Sequence, residues 1–80
     1  MGRVVDHESA VPVYVQVAGI LRKGIADGTY PPGRRLPSVT TLMQEYGIAS
    51  VTARKALRLL VDEGLAVSSP GMGTFVKASG

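Results

Sequence analysis

Apolar residues recur at helical spacing near the N-terminus of the chain. Between residues 13 and 27 they fall at positions i, i+3, i+4 and i+8, the pattern of one face of an α-helix; these residues are Val17, Ile20, Leu21 and Ile25. We therefore predict an amphipathic helix over residues 13–27. Gly28 can serve as its C-cap, and the sequence Pro31-Pro32-Gly33 ends the element.

The middle of the chain predicts two further helices joined by a short turn. Pro37 disfavours helical geometry in the residue before it, and Ser38 can cap the free amides of the next turn, so the second helix begins there. Gly47 marks the turn, the third helix is expected over residues 50–63, and Gly64 ends it. The apolar residues expected to be buried around the turn are Leu42, Met43, Tyr46 and Ile48.

The third predicted helix has an apolar side and a basic side. Successive residues are about 100° apart around an α-helix. This spacing places one set of apolar residues on the same side of the helix: Ala53, Ala56, Leu57, Leu60 and Val61. The opposite side carries Val51, Arg54, Lys55 and Arg58. We expect the first side to pack against the core, where the two alanines allow a close approach, and the second side to be exposed.

A β-hairpin is predicted directly after the third helix. Residues 65–69 and 74–77 are typical of two short strands, and the connection Pro70-Gly71-Met72-Gly73 supplies the proline and glycines of a tight turn. The predicted fold class is therefore mainly α with a small β-hairpin. The predicted division of the chain is a flexible N-terminal tail (1–10), one domain (11–77) and a C-terminal end (78–80).

Size and composition exclude several classes of protein. Eighty residues form one small domain, which buries only about 60% of the surface that its unfolded chain exposes. The chain has no cysteine, so disulfides and thiolate metal sites are excluded. No apolar run approaches the ~20 residues that span a bilayer. We therefore expect a soluble cytoplasmic protein with no membrane contact.

The sequence shows no pattern typical of an enzyme or a metal protein. Its one histidine, His7, lies in the predicted tail, and its six carboxylates are scattered. No nucleophile has a plausible base, and metal-ligand spacing is absent. The sequence Gly71-Met72-Gly73-Thr74 leads into neither a lysine nor a helix, which excludes a phosphate-binding loop. We expect no catalysis, no cofactor and no metal.

The placement of positive charge favours an anionic partner. The formal net charge is +3 and the isoelectric point is about 9.7, values that many small proteins share. Position is more informative: Arg54, Lys55 and Arg58 share one side of a helix, and Arg34 and Arg35 are adjacent in a loop. A helix fits the major groove of DNA, so duplex DNA is the expected partner.

Four segments of the chain resemble, in order and spacing, the DNA-binding domain of the GntR family of bacterial transcription regulators. They are PVYVQV, GTYPPGRRLPS, YGIASVTARKALRLLVDEGL and GMGTFV, which all lie within residues 11–76. The resemblance implies a winged helix-turn-helix fold of three helices plus a two-stranded wing. It also implies a recognition helix in the major groove, a wing near the minor groove or backbone, and binding to two-fold operators as a homodimer, most often in repression.

The resemblance further implies a set of DNA-contacting positions. By position they are Arg35, Ser38 and Thr40, then Ala49, Ser50, Val51, Thr52 and Arg54, and on the wing Pro70, Gly71 and Met72. Three places depart from the family pattern. Val39-Thr40 replaces an arginine or a carboxylate–arginine pair, Ala49 to Thr52 replaces Ser-Arg-Thr-Thr, and Met72 replaces a basic residue. The operator sequence is therefore not implied.

The chemistry of the residues leaves several roles open. The Arg54 fork can grip guanine O6 and N7, contact a phosphate, or pair with Asp62 or Glu45. Val51 can touch a thymine methyl or is simply tolerated near a helix start. Ser50 can donate to a phosphate or only cap the helix.

The remaining candidates are polar or cationic. Lys55 and Arg58 either contact phosphates or solvate an exposed face, and Thr52 can reach a phosphate. One of Arg34 and Arg35 is expected to meet the DNA backbone while the other stays in water. Backbone amides at the wing tip either touch a phosphate or belong to an ordinary turn.

Sequence-specific binding of duplex DNA is the leading functional hypothesis. The alternative is a winged helix used as a protein–protein or dimerisation module, which the departures at Thr40, Ala49, Ser50 and Met72 support. Non-specific or RNA binding is a third option. Family members usually carry a larger C-terminal domain that senses a metabolite. Because this sequence ends at Gly80, as a fragment or as a short protein, we expect no small-molecule effector site in it.

Overall fold

In the computed structural model, which describes residues 5–8 and 10–78, three helices precede an antiparallel pair of strands. The elements are α1 (Val13–Asp27), α2 (Val39–Tyr46), α3 (Ser50–Asp62), β1 (Ala66–Ser69) and β2 (Gly73–Val76). This order confirms the predicted fold class, three helices plus a two-stranded wing. Three elements differ slightly from expectation: α3 ends one residue early, β1 begins one residue late, and β2 is shifted one residue toward the N-terminus.

The C-caps of α1 and α2 and the N-cap of α2 are the residues that the sequence marks. The Ser38 Oγ accepts a hydrogen bond from the Thr41 backbone N–H at 3.1 Å, which satisfies one free amide at the start of α2. Gly28 and Gly47 close α1 and α2 in the left-handed conformation, with φ of 88° and 63°. The Gly47 N–H also donates to the Met43 carbonyl. The chain can therefore turn sharply from α2 into α3.

The core lies where α1 and α2 pack against α3. One leucine from each helix is completely buried: Leu21, Leu42 and Leu60. Ala53 and Ala56 on α3 are also completely buried. Their small side chains let the helices approach closely, as the sequence predicts, and this packing fixes the opposite side of α3 toward the surface.

The edge of the core differs from the prediction in two places. Met43 and Val61 were expected to be buried but are only half-buried, packed against the outside of the core. Gly24, a weak residue for a helix, is buried because the Tyr30 ring lies against it. A Cβ at Gly24 would lie 2.5 Å from the ring Cε2, so the glycine admits the aromatic side chain that follows α1.

The loop before α2 pairs with β2, which the sequence did not predict. The Val76 N–H donates to the Arg34 carbonyl at 2.8 Å, and Arg35 forms an antiparallel bridge with Phe75. Because β1 pairs with β2 as well, β2 is hydrogen-bonded on both sides. The loop thereby joins the hairpin to the helices and brings Arg35 beside it.

Part of the predicted N-terminal tail is hydrogen-bonded to α1. The Gln16 side chain binds the Asp6 backbone in both directions: Nε2 donates to the Asp6 carbonyl at 2.8 Å, and Oε1 accepts from the Asp6 N–H at 2.7 Å. Val5 packs against the core. Residues 1–4 and 9 of the predicted tail, and 79–80 of the predicted C-terminal end, lie outside the described residues. Flexibility of the tail stays a prediction.

Two kinds of feature were not found in residues 5–8 and 10–78. No helix there is both long enough and apolar enough to cross a membrane. No group of three or more histidine, cysteine or acidic side chains there is placed to hold a metal ion. The basic side of α3 is the most distinctive chemical feature of this part of the chain.

Candidate nucleic-acid interface

One side of α3 exposes cations over about one and a half turns of the helix. Arg54, Lys55 and Arg58 are exposed, and Val51, near the start of the helix, is 58% exposed. These four side chains line an open groove of about 370 Å³. The prediction of a basic, exposed side on this helix is confirmed. The groove is also lined by Val39 of α2, by Leu57 and Val61 of α3, and by Ser68 and Thr74 of the hairpin.

The Arg54 guanidinium has no hydrogen bond or ion pair with any of the described residues. Asp62, one of its candidate partners, instead lies near Arg58, whose Nε is 3.3 Å from the Asp62 Oδ1. Both of these side chains are largely exposed, by 76% and 60%, and such an ion pair contributes little to stability. Arg54 and Arg58 therefore both present guanidinium donors to solvent.

Lys55 lies over the aromatic ring of Tyr14 in the first turn of α1. The distance from its Nζ to the ring centroid is 5.6 Å, within the range of a cation–π interaction. The side chain remains exposed, so the ring orients the ammonium without neutralising it. Sequence reasoning missed this contact because the spacing of two residues on different helices does not indicate that they meet.

The first turn of α3 presents backbone amides that no side chain caps. Ala49 occupies the N-cap position and forms no side-chain cap hydrogen bond. Ser50 is already the first helical residue, so the interpretation of Ser50 as the cap is wrong. Ala49 is exposed, while Ser50 and Thr52 are half-buried. The free amides carry the positive end of the helix dipole toward the surface.

The two polar candidates at the start of α2 differ in their availability. Ser38 donates its hydroxyl hydrogen to the Thr41 Oγ1 at 3.0 Å while its oxygen accepts from the Thr41 N–H. The Ser38 hydroxyl is therefore occupied by capping. Thr40 is exposed in the first turn of the helix, which makes it the more accessible of the two.

Arg35 is held against the hairpin. A Cβ built at Gly73 would lie 2.7 Å from the Arg35 Nε and 3.2 Å from its Nη2, so the guanidinium fills the space left by the glycine. Arg35 nevertheless remains exposed. Arg34 is also exposed and contributes its carbonyl to the pairing with β2. Of these two arginines, Arg35 is the one whose side chain lies beside the wing.

The wing tip is a tight turn that exposes an apolar side chain. The Met72 N–H donates to the Ser69 carbonyl at 3.0 Å, and Gly71 has a φ of 75°. Pro70 is exposed, and the Met72 side chain is 63% exposed. The tip therefore offers backbone groups and a thioether rather than a cation.

The predicted contact residues fall into three groups. The groove on α3 brings together Val51, Arg54, Lys55 and Arg58. A second cleft, between the loop and α2, contains Arg35 and Ser38. The remaining candidates, which line neither the groove nor the cleft, are Thr40, Ala49, Ser50, Thr52, Pro70, Gly71 and Met72.

Sequence reasoning missed the residues outside α3 that line the groove, Val39, Ser68 and Thr74, and assigned Leu57 and Val61 only to the apolar side of the helix. Ser68 and Thr74 are direct partners across the hairpin and so share one face of it. Strand alternation indicates two faces for each strand, but the register that pairs these residues depends on the turn. No signal in the sequence distinguished the face that lies beside α3.

Comparison with known proteins agrees with this geometry. The family described as "Bacterial regulatory proteins, gntR family" matches residues 13–76. The chain is 44% identical over 66 residues to the mannosyl-D-glycerate transport/metabolism system repressor of Escherichia coli, an alignment covering 82% of this chain and 28% of that protein. The chain spans only 28–31% of the length of the first curated relatives that it matches.

Two solved structures are similar over nearly the whole chain. The DNA-binding domain of AraR, in complex with an operator, matches with a TM-score of 0.84 at 35% identity, covering 91% of this chain and 93% of that one. YtrA from Sulfolobus acidocaldarius, a GntR-family transcription factor, matches with a TM-score of 0.85 at 37% identity, covering 95% and 80%. The chain belongs to the gntR family of bacterial regulatory proteins, and residues 13–76 form a winged-helix DNA-binding domain of that family.

Proposed function

We propose that this chain binds duplex DNA sequence-specifically, as the DNA-reading part of a transcriptional repressor that works in the cytoplasm. The observation that carries the proposal is the exposed side of α3, where Arg54 has no acidic partner among the described residues and Lys55 is oriented by Tyr14. An α-helix fits the major groove. In this position α3 brings its cations to base edges and phosphates together, with the hairpin beside it.

Arg54 has the role of reading a base. Its guanidinium carries a fork of donors that matches the O6 and N7 acceptors of guanine, the commonest specific contact in the major groove. Arg54 lies in the second turn of α3, close to the N-terminal end that docks in helix-turn-helix proteins. The absence of a partner for it among the described residues supports this role, because no ion pair there has to be broken on binding.

Phosphate contacts supply the sequence-independent part of the affinity. Lys55 and Arg58 line the same groove as Arg54, and Arg35 presents a third cation beside the hairpin. Smaller contributions come from the hydroxyls of Thr40, Ser50 and Thr52, from the backbone of Ser38, Ala49 and Gly71, and from the exposed side chain of Met72.

The proposed target is a two-fold operator bound by two copies of the chain. A single α3 reaches only a few base pairs, and helix-turn-helix dimers bind half-sites about one helical turn apart. Each copy then reads one half-site, and the pair gains affinity because the second contact becomes intramolecular. The proposal assigns DNA reading to this chain and no small-molecule effector site.

A second candidate function is a protein–protein or dimerisation module. Exposed apolar side chains favour it: Val51 is 58% exposed, Val67 47% and Met72 63%. These residues are separated along the chain, and single exposed apolar residues are common on protein surfaces. The two functions differ in their response to salt, since an apolar interface changes little with ionic strength.

Selection of duplexes from a random pool, followed by fluorescence anisotropy with the 80-residue chain, tests the proposal. We expect an enriched motif and an affinity that falls steeply with salt. If Lys55, Arg58 and Arg35 each neutralise one phosphate, the slope of log K against log salt is about −2.7 per chain. If no motif is enriched and the affinity does not change with salt concentration, DNA binding is contradicted and the protein–protein module is favoured.

A further inference from the structure

Val51 is an apolar residue near the N-terminal end of α3. In the proposed complex this end of the helix enters the major groove of DNA. Val51 is 58% exposed and is not part of the hydrophobic core. It lines the same groove as Arg54, which lies three residues further along the helix. When α3 docks, the Val51 side chain exchanges water for the edges of base pairs.

The major groove offers few suitable partners to an aliphatic side chain. Its base edges present acceptors at N7, O6 and O4 and amino donors at N4 and N6, and the one apolar group is the C5-methyl of thymine. Covering a donor or acceptor with a valine would leave it without a hydrogen-bond partner, which costs free energy. Thymine is therefore the base that Val51 favours.

The spacing of the two exposed residues places their contacts close together on the DNA. Residues i and i+3 of a helix have Cβ atoms about 5–6 Å apart, and successive bases of one strand are about 3.4 Å apart along the axis. The residues between them are less available, since Thr52 is half-buried and Ala53 is buried. Lys55 lies over Tyr14, so it does not compete for the position beside Val51.

We infer that Val51 packs against the C5-methyl group of a thymine within about two base pairs of the guanine that Arg54 contacts. This inference rests on the proposed function and deepens it, because it names two adjacent features of the half-site.

Replacing single thymines of the selected duplex by deoxyuridine tests the inference. Deoxyuridine keeps every hydrogen-bonding group of thymine and lacks only the methyl. Burial of one methyl-sized group is worth about fourfold in affinity, which is about 0.8 kcal/mol. We expect one position per half-site where deoxyuridine weakens the binding of the unaltered chain about fourfold. At the same position it should leave the affinity of the V51A variant unchanged.

Val67→Ala is the matched control. Val67 is similarly exposed, at 47%, but alternates with Ser68 along β1 and so points away from the face that lines the groove. The V67A variant should retain the same deoxyuridine response as the unaltered chain. Because both valines are exposed, neither substitution removes core packing, and circular dichroism of both variants checks that they fold.

Two results would overturn the inference. One is specific binding in which no thymine shows a Val51-dependent loss. The other is a Val51-dependent thymine more than about two base pairs from the guanine whose preference is relaxed in R54A. Both leave the proposed function standing, since the motif is still bound. A chain that selects no motif contradicts the proposed function itself.

Discussion

The guanidinium of Arg35 occupies the space where a side chain at Gly73 would begin. A Cβ there would approach the Arg35 Nε to 2.7 Å, and Gly73 has a φ of 122°, which residues with a Cβ rarely adopt. Gly73 starts β2, and Arg35 bridges to the same strand at Phe75. The conformation of the wing and the position of a proposed phosphate-binding cation are therefore linked.

Gly73→Ala should destabilise the protein and weaken DNA binding together. The positive φ alone costs about 1–3 kcal/mol for a residue with a Cβ, and the new methyl group displaces the Arg35 side chain. Urea unfolding measures the first effect, and anisotropy with the selected duplex measures the second. A destabilised G73A that binds DNA with unchanged affinity would mean that the wing does not position Arg35.

Arg35→Ala should remove the positive charge without the backbone strain that Gly73→Ala introduces. Because Arg35 is exposed, its removal should change the free energy of unfolding by only about 0.5 kcal/mol. Binding should weaken equally for all duplexes, and the salt slope should become shallower by about 1. An unchanged salt slope would exclude a phosphate contact by this residue.

Replacing each of two glycines of α1 by alanine should change the free energy of unfolding in opposite directions. A Cβ at Gly19 meets only the Arg22 Nη1, at 3.7 Å, whereas one at Gly24 lies 2.5 Å from the Tyr30 ring. Gly19→Ala should stabilise the protein by about 0.5–1 kcal/mol through helix propensity. Gly24→Ala gains the same propensity but incurs overpacking of about 1–3 kcal/mol, so we expect a net loss. Thermal or urea unfolding of the two variants gives the comparison.

The acid side of the stability profile should depend on Asp27. Its carboxylate accepts hydrogen bonds from the Thr29 hydroxyl at 2.6 Å and from the Thr29 N–H at 2.9 Å, and these bonds hold the pKa of Asp27 below its ordinary value. A carboxyl group with a lowered folded-state pKa stabilises the protein above its unfolded-state pKa, about 3.9. That stabilisation is lost as the pH falls through the folded-state value.

Unfolding experiments between neutral and acidic pH check this dependence. We expect Asp27→Asn to be less stable than the unaltered chain at neutral pH and to lose less stability on acidification. Thr29→Val, which removes the hydroxyl donor and keeps the backbone N–H, should give an intermediate profile. If the free energy of unfolding falls identically on acidification for all three proteins, the Asp27–Thr29 contacts do not persist in solution.

The two sides of α3 could be predicted from the sequence because they depend on local geometry. Side-chain direction along a helix follows from about 100° per residue, and that rule alone separates Ala53 and Ala56 from Arg54 and Arg58. The caps at Ser38 and Gly47 were predictable for the same reason, since each acts within its own helix turn.

The parts that the sequence did not predict depend on contacts between distant residues. The bridge from Arg35 to Phe75 joins a loop to a strand, and the short run after Pro31-Pro32-Gly33 shows no alternation that would indicate pairing. The contact of Lys55 with Tyr14 depends on the packing of α1 against α3. The face of the hairpin beside α3 likewise depends on the strand register and not on the composition of either strand.

Measurement of base preference in Arg54→Ala tests the central claim most directly, with Arg58→Ala as the matched control. Both arginines are exposed on the same side of α3. We predict that R54A loses discrimination at one base pair of each half-site, by about 1–3 kcal/mol, and keeps it elsewhere. R58A should weaken binding to all duplexes about equally. Uniform weakening by R54A, with every base preference intact, would contradict the account.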